Sequence, residues 1–205
     1  MRFKVGLLLL AFVFALQAGP VVPAAKKKNK EKSETSKSFS FATYKERDDR
    51  TIVLVSTLTA AIFEREAFVP IQIAVGVRGH GPKLMVRNES FELIDRDGNR
   101  YPMPSYEEVL TAGNLLERVE LARNQNPLVI GQQFANSLPV AASFFPAPGT
   151  NIVLPFVELP RETYFQALIY FPQPAGGLED VLTLRFQAEG LPEPIDVRVK
   201  VPLKR

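Results

Sequence analysis

A two-residue alternation of apolar and polar side chains recurs along this sequence and restricts its fold more than any other feature. Branched apolar residues occupy every second position in residues 71–78 and 195–201, and a similar alternation runs through residues 165–171 and 182–187. Successive side chains of a β-strand point to opposite faces of the sheet, whereas this spacing would scatter apolar residues around a helix. The alternation therefore predicts strands with one buried face.

Further strands are predicted between these segments. Residues 51–55 form a continuous, mostly β-branched run that is typical of a strand buried on both faces, and residues 58–63 extend that strand or pair with it. The sequence Asp-Arg-Asp-Gly-Asn favours a tight turn, so residues 91–94 and 100–103 are predicted to be the arms of a hairpin. Residues 152–157 are predicted to form one more strand.

One segment has the periodicity of a helix instead. Ser105 and Glu108 have the spacing of a capping box, in which the serine side chain accepts from the glutamate amide and the glutamate side chain reaches back. Apolar residues follow at helical spacing, so the sequence predicts one helix over residues 106–123. Two interpretations are open: a lid or partner-binding helix, or a helix simply packed on a sheet.

Together these elements predict an all-β fold, an immunoglobulin-like antiparallel β-sandwich of about seven strands with one inserted helix. Residues 39–205 are long enough for one domain with a substantial core, and no internal boundary or repeat divides them. Cysteine is absent, so no disulfide contributes and the stability of the domain must come from its core.

The first 25 residues have the layout of a secretory signal peptide. Arg2 and Lys4 form a charged start, residues 5–16 are a nearly unbroken apolar run, and small residues follow. This run is shorter than the roughly 20 residues that a membrane-spanning helix needs. The sequence therefore predicts export to the periplasm or the medium, with an uncleaved signal that anchors the protein in the membrane as the alternative.

Residues 26–38 are a lysine-rich linker that is predicted to be disordered, because it has no apolar side chain to bury. Six of the 25 basic residues lie in it and two precede the apolar run, which leaves 17 basic and 20 of the 22 acidic residues from Ser38 onward. The domain is thus mildly acidic, and the overall charge of +3 does not support nucleic-acid binding. The linker is interpreted as a spacer, or as a contact with an anionic surface through its lysines.

The sequence offers little catalytic chemistry. Without cysteine, thiol catalysis and thiolate metal sites are excluded, and the one histidine, His80, lies in a turn flanked by glycines. The acidic turn at residues 95–99 lacks the glycine position and the terminal glutamate of a calcium loop, so a hairpin turn explains it better. We therefore predict no catalytic residue, no metal site and no cofactor.

Residues 124–160 are rich in proline, amides and small residues, which indicates short irregular strands or a binding loop. Phe144 and Phe145 precede a Pro-Ala-Pro-Gly sequence in this segment. If both rings are exposed they form an apolar docking patch, and the alternative is that they close over the core. Together with Tyr106 of the predicted helix, they are the candidate partner-contact residues.

Residues 91–101 (FELIDRDGNRY), Tyr164 with residues 169–172 (IYFP), and residues 182–186 (LTLRF) together resemble a telokin-like, immunoglobulin-fold family of exported bacterial proteins. The resemblance covers about half of the chain and consists of core and turn patterns. It implies a β-sandwich in the envelope or outside the cell, and it carries over no catalytic residue. The predicted helix and the missing lipoprotein cysteine depart from the commoner pattern of that family.

Two functions follow as hypotheses. The first is a non-catalytic, exported cell-envelope module that mediates protein–protein interaction or assembly with an unidentified envelope protein, through a sheet edge, the helix or residues 144–149. The second is a small-ligand or carbohydrate-binding accessory domain with a pocket beneath the helix. The tyrosines that would stack on a sugar in the second hypothesis are Tyr101, Tyr106, Tyr164 and Tyr170.

Overall fold

A computed structural model of the chain describes residues 34–38, 42–47, 50–147, 149 and 152–203. The predicted signal peptide, residues 1–25, and the predicted linker up to residue 33 lie outside these described residues. Strands dominate the described part. The strands are β1 (Glu34–Ser38), β2 (Ala42–Arg47), β3 (Thr51–Ser56), β4 (Phe68–Val77), β5 (Leu84–Arg87), β6 (Phe91–Ile94), β7 (Arg100–Pro102), β8 (Leu138–Pro139), β9 (Phe156–Leu159), β10 (Thr163–Pro172), β11 (Val181–Phe186) and β12 (Ile195–Lys200).

These strands form three sheets. The largest has the order β1-β2-β3-β4-β10-β8, the second has the order β12-β11-β6-β7, and β5 pairs with β9 alone. The longest pairing joins β4 to β10, from Val77 opposite Thr163 to Phe68 opposite Pro172. Among the described strands every pairing is antiparallel except the short parallel one between β8 and β10. The prediction of an all-β class is therefore confirmed, although the number of strands exceeds the seven that were predicted.

The main core lies between the six-stranded and the four-stranded sheets, where β12 packs against β2 and β3. The alternating apolar residues found in the sequence supply it from both sides, and burying each large side chain contributes roughly 1.5–3 kcal/mol. Its fully buried members include Ile71, Ile73, Val75, Phe165, Ile169, Phe171, Leu93, Leu182, Leu184 and Phe186. The segments predicted as strands from alternation are therefore those that build this core.

A second, smaller core covers the opposite face of the six-stranded sheet, so β3 is buried on both faces as its continuous apolar run predicts. Its buried residues are Ile52, Leu54, Ala74 and Phe134. The Phe134 ring stacks on Tyr164 at 4.9 Å between centroids. It lies so close to Gly76 that a Cβ atom there would overlap it. Glycine at this position therefore admits the covering segment.

The predicted helix is correct in its start and wrong in its continuity. Ser105 Oγ accepts from the Glu108 amide at 3.2 Å and the Ser105 amide donates to Glu108 Oε2 at 2.7 Å, which confirms the capping box. The helix ends early, and two helices occupy the segment, α2 (Tyr106–Leu110) and α3 (Leu115–Gln125). Gly113 separates them with φ +71°, a left-handed conformation that glycine adopts readily and that ends helices.

A third helix replaces a predicted strand. Residues 58–63 were predicted to extend β3 or pair with it, but Leu58–Ile62 form a helical turn, which we number α1, and it packs on β4. Thr59 and Ala60 of this turn are buried. Apolar residues at short range suit a buried helix as well as a strand, which is why the pattern misled. None of the helices in the described part is long and apolar enough to cross a membrane.

Two more boundaries differ from the predictions. The end of the predicted disordered linker, Glu34–Ser38, is β1, which pairs with β2 along five residues. The strand predicted at residues 152–157 is displaced and forms β9, Phe156–Leu159. Both errors have one cause. A polar or irregular segment can become a strand through main-chain pairing, and such pairing does not require an alternating pattern of side chains.

Candidate functional site

The most unusual feature of the main sheet is the edge of β10 that faces away from β4. At its start this edge is covered by β8, because the Leu138 amide donates to the Glu162 carbonyl and the Val140 amide donates to the Tyr164 carbonyl, both at 2.8 Å. The pairing then stops, and no other described strand continues it along β10. The remaining edge of β10 is therefore open.

Strand geometry identifies the main-chain groups at this open edge. The N–H and C=O of one residue point to the same side of a strand, and those of the next residue point to the other side. Because Tyr164 faces β8, Gln166 and Leu168 face the open edge and Ala167 faces β4. No hydrogen bond to a described residue satisfies the edge-facing groups of Leu168, which is only 6% exposed.

Two adjoining cavities lie beside this edge, of about 260 Å³ and 310 Å³. Both are lined by Arg123 of α3 and Ala167 of β10, so together they form one recess, which we name the β10 groove. Its first part lies between β10 and residues 142–147, and its second part extends towards Pro127 and Leu128. The groove therefore runs along the unpaired main chain, beneath the second half of α3.

Aromatic packing holds the outer wall of the groove in place. The Phe144 ring is fully buried and meets the Phe165 ring edge-on at 6.1 Å between centroids, and the Phe145 ring lies 4.8 Å from that of Tyr170. The Leu154 amide donates to the Ser143 carbonyl at 2.8 Å. These contacts fix residues 142–147 at a distance from β10 rather than in a ladder with it.

The predicted docking patch is thus not an exposed surface. Phe144 and Phe145 are 0% and 8% exposed, so they close over the core, as the alternative interpretation had it. Tyr106 is half-buried on α2 and packs against the same core. The sequence analysis did not identify Gln166 and Leu168 as site residues. Their alternation predicts only a strand, because the lack of a neighbouring strand is a tertiary property.

A buried glutamine joins residues 126–128 to the sheet at the floor of the groove. Gln72 Nε2 donates to Thr59 Oγ1 at 2.6 Å and to the Asn126 carbonyl at 3.0 Å, and its Oε1 accepts from the Leu128 amide at 3.1 Å. Gln166 Nε2 donates to the Leu128 carbonyl at 3.2 Å. These bonds hold Asn126 and Leu128 against the sheet beside the groove.

Charge in the groove is balanced. The Arg123 guanidinium pairs with the Glu120 carboxylate one turn earlier on α3. Burial raises the pKa of the nearby Tyr170 phenol well above its usual value, and the negative charge of Glu120 adds to that rise. The phenol therefore stays neutral at physiological pH, so the groove offers hydrogen bonds and one neutralised ion pair rather than an acid or a base.

Other polar clusters serve the fold. The Asp95 carboxylate accepts from the Asn99 side chain at 2.8 Å, from the Tyr101 hydroxyl at 2.9 Å, and from the amides of Asp97 and Asn99. These bonds, the Asn99 side chain first, lower the pKa of Asp95. They match the predicted hairpin turn. His80 is an exposed turn residue, and within the described residues no three acidic or histidine side chains converge on a metal position.

A separate cavity of about 340 Å³ lies against the four-stranded sheet, lined by residues that include Phe91, Met103, Glu92 and Arg185. Arg185 is already held by Asp196 through two hydrogen bonds of 2.8 Å.

No family model matches the chain, and neither does any curated protein or solved structure. The assignment of a function therefore rests on this geometry.

Proposed function

We propose that this protein is a non-catalytic cell-envelope module that binds a partner protein through the β10 groove. The observation that carries the proposal is that Leu168, a buried residue, has edge-facing main-chain groups with no hydrogen bond to a described residue and lies beside a cavity. Such groups are normally satisfied in folded proteins, and a sheet edge is a surface to which another chain adds readily. A ligand strand would supply hydrogen bonds to these groups.

The rest of the proposal concerns fold and location. The two larger sheets that share one core are consistent with an immunoglobulin-like β-sandwich of the telokin-like, exported bacterial type. Residues 1–25 would direct export to the periplasm or the medium, or anchor the protein if they stay uncleaved. The lysines of residues 26–33 would contact an anionic surface and hold the domain near it.

Site-specific photo-cross-linking in intact cells tests the module. A photoreactive phenylalanine analogue replaces Asn124, an exposed residue at the rim of the groove, and the matched control carries it at Val181, which is half-exposed on the other sheet. We expect one recurrent adduct from position 124 and none of that mass from position 181. Equal labelling at the two positions, or only uncross-linked protein at native abundance, would count against the proposal.

The alternative, a small-ligand or carbohydrate-binding domain, is favoured by the 340 Å³ cavity beside Met103. Stacking on sugars is disfavoured, since Tyr170 is buried, Tyr164 packs on Phe134, and the Tyr101 hydroxyl is bound to Asp95. Thermal-shift screening with millimolar sugars and peptides separates the two functions. A rise in Tm with a sugar that Met103→Trp abolishes would favour the alternative.

A further inference from the structure

We propose that the β10 groove takes a short, extended peptide segment that pairs with the main chain of Gln166 and Leu168. This inference rests on the proposed function and names the chemistry of the partner. An added strand lies about 4.8 Å from its neighbour and exchanges N–H and C=O groups at every second residue. Gln166 and Leu168 stand at that spacing and present both kinds of group to the groove.

The walls restrict the occupant to a single chain. Residues 142–147 line the groove opposite β10, and Glu120 and Arg123 of α3 line it from above. A folded sheet edge is wider than one strand and would collide with these walls. An extended segment of about four to six residues, at roughly 3.3 Å per residue, spans the open part of β10. The partner must therefore present a loop or a terminus rather than a folded surface.

The two faces of the groove set different requirements for the side chains of the peptide. On the inner face Phe144 and Phe165 are both fully buried and leave no space, so side chains that point inward must be small. On the outer face Glu120 and Arg123 neutralise each other, which favours polar, uncharged side chains. The expected ligand therefore alternates small and polar residues and has no proline at its paired positions.

Peptide binding to the purified full chain tests the pairing. The probe is a fluorescently labelled, end-capped hexapeptide of alternating alanine and threonine, measured by fluorescence polarisation. Two versions carry N-methyl groups, one on the alanines and the other on the threonines, so that each lacks the N–H groups of one strand edge. We expect at least a tenfold loss of affinity for one version. Equal affinity of all three peptides, or no binding of the parent at millimolar concentration, would overturn the proposal.

Two pairs of variants locate the site. Gln166→Pro removes an edge-facing N–H, and Gln166→Ala, its control, removes only the side chain with its bond to Leu128. Ser143→Leu fills the cavity, and Ser143→Ala is its control. We expect Gln166→Pro to bind at least tenfold more weakly than Gln166→Ala, and Ser143→Leu at least tenfold more weakly than Ser143→Ala. If Gln166→Pro does not fold, the Ser143 pair decides, and unchanged binding by Ser143→Leu refutes the site.

The outcome also separates this inference from the proposed function. A partner that cross-links at position 124, while all the peptides fail to bind, supports the envelope module and refutes main-chain pairing. Peptides that bind with sensitivity to N-methylation, in cells that yield no adduct, support the pairing and refute the partner-binding role.

Discussion

The free edges of β10 and β12 present the same kind of main-chain groups and are treated in opposite ways. β12 pairs with β11 alone among the described strands, and two of its outward carbonyls accept from side chains, one on β2 and one on the residue before α1. Lys45 Nζ donates to the Asp196 carbonyl at 2.7 Å, and Thr57 Oγ1 donates to the Lys200 carbonyl at 2.8 Å. At β10 the covering stops after Tyr164, and a cavity takes the place of a cap.

The difference shows two ways in which a protein protects an unpaired strand edge, which could otherwise pair with other chains and cause aggregation. Lys45 and Thr57 cap two carbonyls of the β12 edge and tie it to β2 and to the start of α1. The β10 edge is recessed instead, beneath α3 and behind residues 142–147. In our proposal this recess excludes a second sheet and receives a single extended chain.

The largest effect is expected from proline substitutions that test which residues of β10 face the open edge. Ala167→Pro removes an N–H directed at β4 and leaves a buried carbonyl of β4 unpaired, whereas Gln166→Pro removes one directed at the groove. We expect Ala167→Pro to lower the free energy of unfolding by about 1–3 kcal/mol more than Gln166→Pro does. Urea unfolding followed by circular dichroism measures both. If both variants lose the same free energy of unfolding, Ala167 and Gln166 do not face different sides of β10, and the β10 edge is not open at Gln166.

A somewhat smaller effect is expected at the capped edge. Thr57→Val keeps the shape of a side chain that is 3% exposed but removes its hydroxyl, so the Lys200 carbonyl loses its partner. We expect a loss of about 1–2 kcal/mol in the free energy of unfolding. Lys45→Met is the matched change at a half-exposed position, where water replaces the lost donor, and it should cost less. If Thr57→Val leaves stability unchanged, the β12 edge does not depend on its cap.

The sequence predicted those parts of the fold in which burial and local chemistry agree. Strands β4, β10, β11 and β12 follow from alternation because their two faces differ in burial. The capping box and the hairpin turn follow from short-range hydrogen bonds that their residues make in any fold. These features need no knowledge of distant partners.

The candidate site depends on distant partners and was therefore not predictable in the same way. Gln166 and Leu168 belong to a correctly predicted strand, yet nothing local indicates that β8 stops short of them. Phe144 and Phe145 have the composition of a docking patch, and only the positions of Phe165 and Tyr170 make them core residues. A break in pairing is a property of the assembled sheet rather than of any segment.

The smallest effect is expected at β7, the other edge of the four-stranded sheet, where a turn rather than a cap orders the strand. The bonds that Asp95 accepts from Asn99 and Tyr101 lower the pKa of its carboxyl in the folded state. Since that pKa is below the unfolded value of about 3.9, the resulting stability is complete above that value and is lost as the pH falls through the folded pKa.

Asp95→Asn tests this dependence because it removes the charge and keeps the size of the side chain. Both proteins are unfolded in urea at a series of pH values from about 7 to about 2. We expect the wild type to be the more stable near neutrality and the difference to shrink below about pH 4, as Asp95 takes up a proton. A difference that stays constant over the whole range would show that the charge of Asp95 does not hold the turn, and that β7 is ordered by its pairing with β6 alone.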